Sequence, residues 1–214
     1  SCYSPFYWIR NIQNSNFSTS GIKRFETYPS SVIFNTFKKA VEFHLKYGDL
    51  LINNYLKIID LKNKNNNLSR TDLNKTIKKY IDKELIYLGV NSFQKEYETI
   101  KSSNDYYEKI KKNYYLYELI KIYYGCVQFV VGSLMARRIS ELRGLKYNDC
   151  YDEENQLLLF KRSKSTKGLF GIKDYIALPI DKLAIDMHKN LQRIINAWDI
   201  EDKETMEIFS IPSG

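Results

Sequence analysis

Before residue 30 the chain shows no sustained hydrophobic period. Aromatics cluster at Tyr3, Phe6, Tyr7 and Trp8 and a polar stretch follows over 14–20, as in a loop or extended arm. From there apolar positions recur at helical spacing. Ser30 or Ser31 can cap a helix whose stripe runs through Phe37, Val41 and Leu45, with a break at Gly48 before 50–59 resume the pattern. Residues 62–67 read as a polar loop. Ser69 or Thr71 then caps a second helix that carries Leu73, Ile77, Tyr80, Ile81, Leu85 and Leu88 on one face and stops at Gly89. Its opposite face holds Lys75, Lys78, Lys79 and Lys83. A third helical pattern covers 92–100, and Ser102-Ser103-Asn104 breaks it. The spacing of Leu116, Ile120, Tyr123, Val127, Val130 and Leu134 predicts a long core helix over 105–136. The period then changes: 156–160 and 175–178 are short apolar runs joined by a stretch rich in Lys, Ser and Gly, which predicts two strands and a long hairpin connection. Residues 183–198 return to helix. The fold class predicted is mainly α with a small antiparallel β-sheet, an α+β architecture.

The 214 residues suffice for one large domain or two modest ones, so neither disulfides nor a metal are forced on the chain by size. Its most apolar stretch, 126–136, contains Gln128 and is too short to cross a bilayer, and the N-terminus has no secretory pattern. Cys2, Cys126 and Cys150 are too few for a disulfide framework and lack metal-ligand spacing, which reads as a reduced, cytoplasmic chain with no metal site. Charge changes the picture more. An excess of 33 basic over 25 acidic residues gives +8 and a pI near 9.1, as expected for a partner that is a polyanion. Residues 1–102 carry 16 Lys and Arg against 9 Asp and Glu, whereas 103–214 carry 17 against 16, so the excess sits in the first half. A basic module joined to a nearly neutral one accounts for this, and so does an AT-rich coding sequence.

Arg138-Ile139-Ser140-Glu141-Leu142-Arg143-Gly144-Leu145-Lys146-Tyr147-Asn148-Asp149 follows the core helix and precedes the two strands. It resembles the first conserved box of the tyrosine site-specific recombinases, the phage-integrase family, in which a helix ends in an Arg-x-x-Glu-Leu-x-x-Leu-x-x-x-Asp run. The segment from Leu158 through Lys161-Arg162-Ser163-Lys164-Ser165-Thr166-Lys167-Gly168 is similar to the family's next element, a hairpin with a lysine at its turn, and Tyr175-Ile176-Ala177-Leu178-Pro179 resembles the strand after it. Two departures stand beside the match. Met135-Ala136 replaces the family's usual Thr-Gly, and no His-x-x-Arg occurs: three residues after His44 comes Tyr47, and after His188, Leu191. None of the 18 tyrosines follows such a box, so none is assigned as nucleophile, and most read as packing residues. His44 reads as packed or partly exposed, His188 as solvated. The expectation is a fragment that stops short of the second box, with the resemblance covering about 103–212.

The resemblance implies DNA integration or recombination, with strands cut and rejoined through a 3'-phosphotyrosyl intermediate that needs no metal, ATP or other cofactor. Arg138 is the expected catalytic clamp, its guanidinium donating two hydrogen bonds to the phosphate oxygens on which negative charge builds. Glu141, one turn later, would hold that fork in place. Lys164, with Lys167 in reserve, would protonate the leaving 5'-oxygen. Arg137, Lys161, Arg162 and Lys167 are expected DNA contacts. Taken alone, Arg138 and Glu141 read as an ordinary i, i+3 surface pair contributing roughly 0.3 kcal/mol, and only the hairpin that follows reverses that reading.

By position, 1–102 would correspond to the family's helical core-binding module, closing over double-stranded DNA opposite an integrase-like catalytic domain that begins at 103, or near 67 where Leu68-Ser69-Arg70-Thr71-Asp72-Leu73 resembles its start. Lys38, Lys39, Lys75, Lys78, Lys79 and Lys83 would then meet phosphates; a solvated helix face is the other reading. Complete family members act as tetramers on paired sites, whereas the fragment is expected to be inactive and monomeric. A non-catalytic DNA-binding accessory protein on the same scaffold is the alternative.

Overall fold

The computed structural model describes residues 28–65, 68–94, 115–135, 141–142, 144–147, 150–161, 175–198 and 202–211. It opens with helix α1, Ser30–Lys64. Pro29 precedes it, and its carbonyl accepts from the N–H groups of Val32 (2.9 Å) and Ile33 (3.2 Å), so both serines lie inside the first turn and neither caps by its side chain. The expected break at Gly48 is absent, and α1 runs on through Lys64 into the stretch expected to be loop. Gly48 serves a different purpose. A Cβ built there would lie 2.9 Å from His44 Nδ1 and 3.3 Å from Tyr123 Cε2, so the missing side chain lets a neighbouring helix come close. The buried face of α1 is Ala40, Phe43, Leu51, Ile52, Tyr55, Ile58 and Ile59, while Leu45, expected on it, is 70% exposed.

Helix α2, Arg70–Tyr80, is capped by Ser69, whose hydroxyl oxygen accepts from the Asp72 N–H (3.2 Å). The apolar pattern continues past Tyr80, yet the helix stops and a short α3, Lys83–Tyr87, begins anew. Asn54 of α1 explains the interruption. Its amide oxygen accepts from the Asp82 N–H (2.7 Å), taking the donor a continuing helix would use, while its amide nitrogen donates to Asp82 Oδ2 (2.8 Å). Lys57 closes the junction on Asp82 Oδ1 (2.7 Å). Gly89, at φ 96°, ends α3 as expected, with the Val90 N–H returning to the Leu85 carbonyl (2.9 Å).

Ser92 forms a parallel bridge with Tyr115 rather than starting a helix, while 95–100 and 105–114 lie outside the described residues. Helix α4, Leu116–Met135, buries Leu116, Ile120, Tyr123, Val127 and Val130 as the spacing predicts; Leu134 is exposed. Three antiparallel strands follow: β1, Tyr151–Asp152; β2, Leu157–Lys161; and β3, Tyr175–Pro179, in that order across the sheet. Strand β1 was not expected, because two residues carry no period. Asp181 caps helix α5, Lys182–Ala197, its carboxylate accepting from the Leu183 N–H (2.8 Å). The fold class is thus α+β, mainly helical with a small antiparallel sheet.

Helix α1 packs on α4 and α5, and one apolar cluster runs from Ala40 to Ile208, spanning positions 67 and 102 alike. Among the described residues no helix is long and apolar enough to cross a membrane.

The glycines of α4 and α1 supply a prediction. No atom lies within 4 Å of a Cβ at Gly125, so Gly125→Ala should stabilise by about 1 kcal/mol through helix propensity. At Gly48 the same change meets a histidine ring held by a hydrogen bond and should destabilise. Urea midpoints for the two variants moving in the same direction would contradict this.

Candidate functional site

Arg137 and Arg138 lie outside the described residues; Glu141 and Leu142 are helical and both are buried. Leu142 returns against α4, where a Cβ on Gly132 would sit 2.9 Å from its Cδ1. Leu145 is also buried, so both leucines of the Arg-x-x-Glu-Leu-x-x-Leu run are core residues. The chain beyond is fixed by backbone pairing, with the Tyr147 N–H donating to the Met206 carbonyl (3.0 Å) and the Ile208 N–H to the Leu145 carbonyl (2.9 Å). From α5, Gln192 donates to the Tyr147 carbonyl (2.7 Å) and Asn196 accepts from its hydroxyl. Glu141 is buried and is not without an interaction partner, as burial of a carboxylate requires.

The sheet continues from the box, since the Leu159 N–H donates to the Cys150 carbonyl (2.8 Å). Strands β2 and β3 pair from Leu157↔Pro179 to Lys161↔Tyr175. The connection between them thus leaves and returns at adjacent backbone positions. Arg162, Lys164 and Lys167 lie on it, outside the described residues. Lys161 occupies the last position of β2.

The lysines of the first half fall into two groups. Lys38 and Lys39 flank Glu42, at 3.9 and 2.8 Å, and the Lys39 hydrogen bond holds the Glu42 carboxyl below its ordinary range. Lys75, Lys78, Lys79 and Lys83 are exposed, and among the described residues none makes an ion pair. Asp82, bonded to Asn54, places the second group about 24 Å along α1 from Lys38, at 1.5 Å per residue. The structure does not bring the two groups into one patch. Tyr80 and Tyr87, beside the second group, are exposed at 45% and 82% although the apolar pattern had placed Tyr80 inward.

A polar chain joins α1, α4 and α5. The Arg193 guanidinium can only donate, so its bond to Asn190 Oδ1 (2.9 Å) turns the Asn190 amide nitrogen toward the Tyr123 hydroxyl (2.9 Å). That oxygen accepts from the amide, and the same hydroxyl is hydrogen-bonded to His44 Nδ1 (2.8 Å). His44 is half-buried, as expected, and burial pushes its pKa down against the pull of Asp49 and Asp186. His188 is a correction: it is fully buried, its Nδ1 3.7 Å from Cys150 Sγ and its pKa pushed down to about 4 by burial. The signal was present, since Ala184, His188, Leu191 and Ile195 share one stripe of α5. Cys126 and Cys150 are buried and carry no disulfide.

An open groove of about 420 Å³ lies between α1 and α5, lined by Leu56, Asp60, Asn63, Arg193, Asn196 and Ala197, and touches none of the expected site residues. Among the described residues no cluster of His, Cys, Asp and Glu could hold a metal. No family model, no curated protein and no solved structure matches this chain.

Proposed function

We propose that this chain binds duplex DNA with the chemistry of a site-specific tyrosine recombinase. Arg138 clamps the scissile phosphate, Glu141 positions its guanidinium, and Lys164 serves as general acid to the leaving 5'-oxygen. Arg137, Lys161, Arg162 and Lys167 line the same DNA, and the lysines of α1, α2 and α3 hold more distant phosphates. Neither the family's His-x-x-Arg box nor its nucleophilic tyrosine is assigned to a residue here, so strand cutting belongs to a protein that supplies both.

One observation carries this reading: Glu141, three positions after Arg138 in the sequence, is buried, and the strands β2 and β3 that follow pair antiparallel with Lys164 in the sequence between them. The order of elements is the one the resemblance requires. The second reading, a DNA-binding protein without catalysis, is favoured by the four exposed lysines of α2 and α3, which need no reaction to explain them.

Fluorescence anisotropy with a labelled duplex of about 30 bp in about 50 mM salt separates the two. Arg138→Ala should weaken binding about tenfold, the loss of one bidentate charged contact. Arg138→Lys should recover little of it, since an ammonium lacks the fork. Thermal midpoints of both variants should match the parent. Equal affinity of all three would transfer the chain to the non-catalytic reading, and absence of duplex binding would end both.

A further inference from the structure

Tyr87 is the most exposed large apolar side chain among the described residues, and its neighbour Ile86 on α3 and Tyr80 at the end of α2 are exposed as well. Exposed apolar side chains that occur together mark a contact surface. Their surroundings say for what. On α3, Lys83 and Tyr87 are one turn apart and share a face, opposite the buried Leu85. Tyr80 closes α2 immediately after Lys78 and Lys79, which end its last turn. The nearby acids do not cancel this charge: Asp82 is engaged by Lys57 and Asn54, Asp72 by Ser69 at the far end of α2, and Glu84 is outnumbered.

Phosphates alone would call for lysines without rings, and a duplex buries its base faces in its own stack. Aromatic faces set among unpaired ammonium groups suit a strand whose bases are free to stack on them. We propose that the Tyr80–Tyr87 surface of α2 and α3 binds single-stranded DNA, Tyr87 and Tyr80 stacking on unpaired bases while Lys79 and Lys83 hold the adjoining phosphates. This rests on the nucleic-acid part of the reading above and extends it to a second form of DNA, which shares Lys79 and Lys83 with the duplex and adds the two rings.

The test is anisotropy with labelled oligothymidine and, in parallel, the perfectly paired duplex. Tyr87→Ala should weaken oligothymidine binding about tenfold, the loss of one stacked base, and leave duplex affinity unchanged. Tyr87→Phe, which keeps the ring, should bind the single strand as the parent does. Because Tyr87 is exposed, both variants should fold, and circular dichroism confirms it. Equal single-strand affinity for Tyr87→Ala and the parent would overturn the proposal, as would an equal loss on both DNAs. Tighter binding of the parent to phosphatidylserine vesicles than to oligothymidine would assign the patch to a membrane surface and overturn it too. Loss of duplex binding with Tyr87-dependent single-strand binding retained would sink the recombinase reading and keep this one; the reverse pattern would do the opposite.

Discussion

Acidification from about pH 7 to pH 5 is expected to remove about 2 kcal/mol of folding stability through His188 alone. The imidazole is wholly buried, its Nε2 has no hydrogen-bond partner among the described residues, and it is held at about 4 against an ordinary value of 6.5. What faces it is Cys150 Sγ and the rings of Tyr151 and Phe209, at 6.0 and 5.7 Å, none of which compensates a positive charge. The unfolded chain therefore takes up a proton below 6.5 that the folded chain refuses until near 4. Stability is complete above the upper value, falls through the window and levels off below it. His44, also depressed by burial, acts in the same direction. Asp82 does not interfere, because its carboxyl is held below an ordinary value of 3.8, chiefly by Lys57 and Asn54, and its contribution is lost only at lower pH. Urea unfolding at several pH values should show the decline, and His188→Leu should flatten most of it. A pH-independent midpoint in the parent would show that His188 is not buried as described.

Replacing Tyr123 by Ala should destabilise the fold by about 4 kcal/mol, a large share of what a domain of this kind possesses. The ring is fully buried where α1 meets α4, 6.4 Å from the Phe43 ring and 5.9 Å from His44, over the space that Gly48 leaves open. Its hydroxyl ties His44 to Asn190. Tyr123→Phe keeps the packing and should lose about 1 to 2 kcal/mol, because the Asn190 amide and His44 are left unpaired in the interior. The gap between the two variants, read from denaturant midpoints at constant slope, separates packing from hydrogen bonding. Two variants with equal losses would mean that the ring contributes nothing beyond its hydroxyl.

Local chemistry in the sequence was enough for the ends of several elements. Ser69 and Gly89 act through bonds to residues within a few positions, and both are where the pattern placed them. The paired strands β2 and β3 were legible for the same reason, from two short apolar runs on either side of a polar connection. Gly48 was misread because a glycine that ends a helix and one that admits a neighbouring ring look alike until α4 is in place. The stop after Ile81 depends on Asn54, 28 positions before Asp82, and no local pattern announces such an acceptor. His188 was legible in principle: a polar residue on an otherwise apolar stripe was weighed by its type rather than by its position. Of the candidate site, the buried Glu141 and the strand pair stand among the described residues, whereas Arg138 and Lys164 lie outside them.

The salt dependence of duplex affinity decides whether this basic chain grips duplex DNA with Arg138 among the groups that do so. Each phosphate neutralised contributes a slope of about −0.9 in a plot of log affinity against log salt. The four exposed lysines of α2 and α3 together with Arg138 predict a slope of about −4 or steeper, and Arg138→Ala should make it shallower by about 1. A flat dependence would mean that the chain does not grip duplex DNA, and an identical slope in the variant that Arg138 meets no phosphate.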